Sequence, residues 1–141
     1  MLVSREYIAG LFDGEGTVRL IDASGPAGRT LRPEVTITHK QTWLLETVSA
    51  SLASYGVGNH LSTGTHEGVG RLTIAGLKRT KRFVDEVGPF VVLKQAELRL
   101  VGQFIARRLA VPPNTPYDGE DLRVPSRLRG LRNAGRESSE T

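Results

Sequence analysis

The stretch Tyr7-Ile-Ala-Gly-Leu-Phe-Asp-Gly-Glu-Gly16 decides the fold, because an apolar run with small residues ends in glycines that bracket a carboxylate. Ser4 is suited to be an N-cap, so the pattern predicts a helix over residues 5–13 that ends at a left-handed Gly14. Glu15 would follow the helix C-terminus, where unpaired carbonyls make the local potential negative. Carboxylate and carbonyl oxygens suit Mg²⁺, so we expect Glu15 and Gly14 to hold the ion.

The same stretch resembles the LAGLIDADG motif of homing endonucleases, since the residues from Ile8 to Gly16 match its pattern position by position. The departures are Ile for the first Leu, Phe for Ile, Gly for Ala and Glu for the final Asp. The resemblance implies that Glu15 is the metal-binding, catalytic acid. It also implies that Asp13 has a structural role at the helix end and the interface.

The amino-acid composition indicates a single globular domain, and its basic charge favours an anionic partner such as nucleic acid. The chain has 141 residues, a net charge of +4 and a pI near 9.8. Fifteen of its 19 basic residues are Arg, whose planar fork suits phosphate oxygens and guanine edges, although GC-rich coding also raises Arg content. The absence of Cys excludes disulfides and cysteine-bound metals. With no signal peptide and no apolar run long enough for a span, we expect a soluble, intracellular protein, in a prokaryotic cytoplasm or an organelle, with no membrane partner.

Hydrophobic periodicity predicts the order αββαββαα. After the first helix come strands over residues 17–21 and 31–39 with a long hairpin tip, a helix over 41–55, and strands over 57–63 and 69–75. Helices over 77–87 and 94–109 follow, and we expect Leu109 to point inward. Residues 1–110 form the predicted core domain, and 111–141 form a linker, a short basic helix near residues 125–132 and a polar tail. The resemblance implies an α+β LAGLIDADG fold with a saddle-shaped antiparallel sheet.

Two further positions are predicted to be catalytic. Lys94 lies in a segment, residues 89–98, that resembles the proline, leucine-lysine, glutamine-alanine signature of the same endonucleases, which implies that Lys94 reaches the active site. His39 closes the second strand, where the family places a polar side chain that organises water. Lys40 or Gln41 are alternatives, because the register is uncertain by one residue.

Polar residues on the outer face of the strands predict a DNA-reading surface. A polar sheet face with several Arg can lie in the major groove and read base edges, although half-buried sheets ordinarily have polar outer faces. Arg29 and His66 in the hairpin loops would extend this surface or bind phosphate. Residues 128–133 resemble a C-terminal LRGLN element, and we expect Arg129 in it and the preceding Arg127 to contact the DNA backbone; the alternative is a charged, partly disordered tail. The strand residues predicted to bind DNA are Arg19, Arg32, Thr36, Thr38, His60, Ser62, Arg71 and Thr73.

One motif implies one active site per chain, whereas cutting both strands of a duplex requires two. We therefore predict a homodimer whose first helices pack through a flank of low side-chain bulk. The predicted interface residues are Ala9, Gly10, Asp13 and Gly14.

The resemblance implies an intron-encoded, Mg²⁺-dependent, site-specific endonuclease that cuts double-stranded DNA at a long near-palindromic site, across the minor groove, leaving 3′ overhangs. Mn²⁺ or Ca²⁺ would replace Mg²⁺ for binding. One alternative is a maturase that binds intron RNA and assists splicing. The other is a DNA-binding regulator that does not cleave.

Overall fold

A computed structural model describes residues 1–26, 28–64 and 68–140, except the side chains of Ser24 and of residues 135–140. It confirms the order αββαββαα, followed by one further long helix. The elements are α1 (Arg5–Glu15), β1 (Gly16–Gly25), β2 (Gly28–His39), α2 (Thr42–Ser54), β3 (His60–Ser62), β4 (Gly70–Ala75), α3 (Leu77–Glu86), α4 (Gln95–Leu109) and α5 (Gly119–Glu140). A 3₁₀ turn, Gly88–Phe90, joins α3 to the segment before α4.

Helix α1 begins as predicted but ends later. The Ser4 side chain accepts a hydrogen bond from the Tyr7 N–H. The prediction that Gly14 ends the helix in a left-handed conformation is wrong, because α1 continues through Glu15 and Gly16 is the C-cap. A Cβ on Gly16 would lie 2.4 Å from Phe12 Cδ2, so the chain needs a glycine to enter β1 directly. Glu15 is therefore the last helical residue rather than a loop residue.

The sheet has the strand order β1-β2-β4-β3, and all its neighbouring pairs are antiparallel. The long tip predicted for the first hairpin is wrong: β1 and β2 pair to Gly25 and Gly28, because the ladder continues through the polar residues. The second hairpin is shorter than predicted, since β3 spans only His60–Ser62. The inner face carries the apolar residues of each strand, including Val18, Val35, Ile37, Leu72 and Ile74.

Helices cover the inner face and complete one core. Phe12 of α1, Phe83 of α3 and Phe104 of α4 are fully buried there. The prediction that Leu109 points inward is wrong, because it is 40% exposed at the end of α4. Within the described residues, no helix is both long and apolar enough to cross a membrane.

Helix α5 is much longer than the short helix predicted. It packs against α4 and β1, and it buries Val124 and Leu128 in the common core. Asp118 precedes it and accepts a hydrogen bond from the Asp121 N–H at 2.8 Å, and this bond lowers the pKa of the Asp118 carboxyl. Asp121 is buried and pairs with Arg107 of α4 at 2.9 Å. The Asp118 cap stabilises the start of the helix, and the buried Val124 and Leu128 anchor it on either side of Pro125. These contacts favour a helix that continues through the proline.

Candidate active site and nucleic-acid interface

A concavity of about 430 Å³ lies where α1 meets the end of β2, and Glu15 and His39 both line it. Thr38, Lys40, Gln41 and Val69 complete its lining. Glu15 is exposed because it occupies the last position of α1, and His39 is half-buried because it ends β2. Two of the three predicted catalytic residues thus line the same concavity. The one-residue uncertainty in register is immaterial, since His39, Lys40 and Gln41 all reach this concavity.

Lys94 reaches the same end of α1 from the segment before α4. Its Nζ donates to the carbonyl of Phe12 at 3.2 Å and to the carbonyl of Gly16 at 2.5 Å. It also lies 5.7 Å from the centroid of the Phe12 ring. An ammonium group beside the C-terminal carbonyls of a helix is electrostatically favourable. Lys94 is therefore held at the end of α1, beside the Glu15 backbone, although its side chain does not line the concavity.

The Asp13 side chain forms its hydrogen bonds within its own subunit. Its carboxylate accepts hydrogen bonds from the backbone N–H groups of Val92 at 2.8 Å and Lys94 at 3.0 Å. These bonds fasten the segment before α4 to the end of α1, which places the Lys94 side chain. Within a single chain, Asp13 therefore has a structural role at the end of α1.

Hydrogen bonds also connect the rim of the concavity to α2. The Gln41 backbone N–H donates to His39 Nδ1 at 2.9 Å, and the Trp43 indole Nε1–H donates to Gln41 Oε1 at 3.2 Å. Trp43 is 62% exposed. Nothing in the sequence marks Trp43 for this contact, because an aromatic residue in an amphipathic helix is ordinarily a core residue.

The strand register places all eight strand residues predicted to bind DNA on one face of the sheet. Thr36 of β2 is opposite Thr73 of β4, which in turn is opposite His60 of β3. Arg71 is likewise opposite Thr38 and Ser62. Because paired residues share a face, Arg19 and Arg32 belong to the same surface. Thr36 lies at its centre and is only 9% exposed.

One acidic side chain, Glu34, moderates the charge of this face. Glu34 is directly opposite Arg19 and forms an ion pair with it at 2.5 Å. The predicted contact Arg29 is not on this face: near the hairpin tip it donates two hydrogen bonds to Asp22, which is opposite the core residue Leu31, and these bonds lower the pKa of the Asp22 carboxyl. The Arg29–Asp22 pair is exposed on both sides and the Arg19–Glu34 pair on its Arg19 side, so the arginines can exchange partners.

The remaining predicted contacts lie elsewhere. His66 lies outside the described residues. On α5, Arg129 lines a concavity of about 280 Å³ beside Arg19 and Arg132, whereas Arg127 lines a separate groove against α4. The structure therefore brings Arg129, but not Arg127, next to the edge of the polar sheet face.

One side of α1 is open, but Ala9 is not part of it. Ala9 is fully buried inside its own subunit, so the prediction that it forms the dimer interface is wrong. A small residue suits close packing within a subunit as well as between subunits. Gly10 and Gly14 are exposed, and a Cβ built on either would meet nothing within 4 Å.

The donor set of one chain fits a divalent ion only in part. Within the described ranges, no group of three or more His, Cys, Asp or Glu side chains is arranged to hold a metal. Glu15 supplies one accessible carboxylate, and the Gly14 carbonyl lies in the last turn, where helical N–H partners run out. Mg²⁺ commonly binds one or two carboxylates together with substrate phosphates and water, so this set fits if a phosphate completes it.

Comparisons with known proteins agree with this geometry. The family model described as LAGLIDADG-like domain matches residues 3–88. The homing endonuclease I-CvuI superimposes with a TM-score of 0.66 and 19% identity, covering 93% of this chain and 78% of that chain. The homing endonuclease I-TnaI gives a TM-score of 0.63 and 16% identity, covering 96% and 99%.

An archaeal intron-encoded homing endonuclease complexed with DNA, I-Vdi141I, gives a TM-score of 0.61 and 17% identity, covering 94% of this chain and 82% of that chain. No curated protein matches the sequence. At these identities the solved structures establish the fold, and the predicted fold class is confirmed.

Proposed function

Because the chain belongs to the LAGLIDADG family, we propose that it is a site-specific endonuclease that hydrolyses both strands of a long, near-palindromic DNA site. The observation that carries this proposal is that an exposed acid, Glu15, shares one concavity with His39 beside a sheet face of polar and basic residues. A surface that reads bases therefore adjoins a group able to support hydrolysis.

Binding is assigned to the polar sheet face. Arg32 and Arg71 are exposed there, and Arg side chains pair with the O6 and N7 atoms of guanine in the major groove. Arg19 would exchange Glu34 for DNA, at small cost for a partly exposed pair. Arg129, at the edge of this face, would contact the phosphate backbone.

Hydrolysis is assigned to Glu15 with a divalent metal, for which Mg²⁺ is the natural ion. Glu15 and the Gly14 carbonyl would hold it against a phosphate oxygen. When bound, the ion supplies Lewis acidity that lowers the pKa of the attacking water and offsets charge on the phosphate. Water then forms a bond to phosphorus as the bond to the leaving oxygen breaks; the proton that the water loses passes to solvent, and the leaving oxygen takes a proton from solvent. Mn²⁺ or Ca²⁺ would occupy the same ligands during binding.

Lys94 contributes positive charge close to this chemistry. Its ammonium group is held at two carbonyls at the end of α1, adjacent to the Glu15 backbone. A cation in that position offsets negative charge that develops on the phosphate in the transition state. Asp13 maintains the position through its hydrogen bonds to the same segment.

Cleavage of both strands is assigned to a homodimer. The open flank of α1 at Gly10 and Gly14 lets the backbone of a second copy approach closely. A twofold axis along this flank would bring one Glu15 from each subunit to the two strands of a duplex.

Selection from a randomised duplex library tests the proposal directly. The full chain is incubated with the library in Mg²⁺, and cleaved duplexes are amplified and sequenced. We expect a near-palindromic consensus. Specific DNA binding without cleavage would show that the protein is a regulator rather than an endonuclease. Enhanced splicing of intron RNA without DNA cleavage would show that it is a maturase.

A further inference from the structure

The hydrogen bonds of His39 determine which of its ring nitrogens carries the proton. A backbone N–H can only donate, and the Gln41 N–H points at His39 Nδ1 at 2.9 Å. Nδ1 must therefore hold a lone pair. The single proton of the neutral imidazole then resides on Nε2, for which the described residues provide no hydrogen-bond partner.

The neighbouring rim residues also present donors. The Gln41 carboxamide oxygen accepts the Trp43 indole N–H, and the NH₂ group of the same side chain can donate two hydrogen bonds. Lys40 carries an ammonium group, which has no acceptor. Of the side chains that line the concavity, Glu15 alone is an acid. His39, Lys40 and Gln41, which line the same concavity as that acid, thus all present N–H donors, an arrangement suited to an oxyanion.

We infer that His39 donates an Nε2–H hydrogen bond to a non-bridging oxygen of the bound phosphodiester and does not act as the base that deprotonates water. The Gln41 backbone N–H is the positioning group that fixes this tautomer. Accepting a proton at Nε2 would require moving the existing proton to Nδ1, which would break the bond to Gln41. The identity of the anion rests on the proposed function, whereas the tautomer follows from the contacts alone.

Nuclear magnetic resonance tests the tautomer without DNA. Long-range ¹H–¹⁵N spectra of the ¹⁵N-labelled full chain, recorded at a pH where the ring is neutral, distinguish the two forms, and the His39→Gln variant identifies the signal. We expect His39 to be protonated at Nε2. Gln41→Ala keeps the backbone N–H and should preserve this pattern. Gln41→Pro removes the N–H at a residue whose φ of −86° is close to the proline range, and should give mixed tautomers.

A protonated Nδ1 in the wild-type protein, or no difference between the two Gln41 variants, would overturn the assignment.

Cleavage of a library-selected duplex tests the role of the donor. Glutamine can donate an N–H in place of Nε2 but is not a base at neutral pH, so it separates the two mechanisms. Loss of one donor to a developing oxyanion costs about a hundredfold, so we expect His39→Ala to cleave about a hundredfold more slowly and His39→Gln to recover at least about tenfold.

Equal loss in the two His39 variants would contradict the donor role. If no duplex is cleaved by the wild-type protein, the proposed function fails, and the spectra still decide the tautomer.

Discussion

At the scale of single residues, Glu15 combines exposure with a fixed position at the end of α1. Glu15→Gln keeps the size of the side chain and removes its charge, so it should leave DNA affinity nearly unchanged. The loss of metal-assisted stabilisation, several kcal/mol, should slow cleavage by about a thousandfold or more. Nicking assays in Mg²⁺ and gel-shift assays in Ca²⁺ measure the two quantities. Cleavage at the wild-type rate would remove Glu15 from the mechanism.

Asp13 provides a second test at this scale. Asp13→Ala removes two hydrogen bonds to a charged acceptor, so it should lower the free energy of unfolding by about 1–3 kcal/mol, measured in urea. The same change should slow cleavage, because the segment that carries Lys94 loses its attachment to α1.

Asp85 provides the matched control for Asp13. It forms an exposed pair with Lys81 four residues earlier in α3. Asp85→Ala should therefore change the free energy of unfolding by less than about 0.5 kcal/mol. Equal losses in the two variants would contradict the specific role of Asp13.

At the scale of elements, α1 is the helix on which the proposed dimer depends. Gly10→Leu places a branched side chain in open space within the subunit, and leucine favours helix more than glycine does, so the monomer should remain folded. In the dimer each copy would introduce a clash of about 1–3 kcal/mol, which should shift the protein to monomer and abolish double-strand cleavage. Analytical ultracentrifugation measures the association.

Gly130→Leu is the control for this substitution, since Gly130 is also helical and open but lies on α5. It should leave the dimer intact. A Gly10→Leu protein that remains a tight dimer would overturn the interface on α1.

The sequence predicted the faces of elements better than their ends. Alternation in β1, β2 and β4 separated the polar from the apolar face residue by residue, because side chains on a strand alternate regardless of context. The ends depend on partners: β1 continues to Gly25 because β2 pairs with it. Helix α5 did carry a signal, since the buried residues Asp121, Val124 and Leu128 have helical spacing.

For the site, the sequence likewise predicted which residues take part but not the contacts that hold them. Glu15, His39 and Lys94 were predicted from local patterns and from resemblance, and all three lie around the end of α1. The burial of Ala9 was not predictable, because it depends on which elements pack against α1. The attachment of His39 to the Gln41 backbone is a detail of the turn between β2 and α2, and residue types do not specify it.

At the scale of the whole molecule, the proposal requires two equivalent sites that each cut one strand. Differently tagged wild-type and Glu15→Gln chains can be expressed together and purified as mixed dimers. These dimers should nick a plasmid that carries the selected site without linearising it, whereas wild-type dimers should linearise it. Gel electrophoresis separates the two products. Linear product from purified mixed dimers would contradict one active site per subunit.

The covering of β1 by α5 has a consequence for how copies of this protein meet. β1 is an edge of the sheet, and Arg132 of α5 donates to its Val18 carbonyl. The opposite edge, β3, has only three residues. Open strand edges invite strand addition by other chains and lead to aggregation. Because one edge is covered and the other is too short to pair with another strand, the polar face of the sheet can stay exposed without strand addition and remain accessible to a duplex.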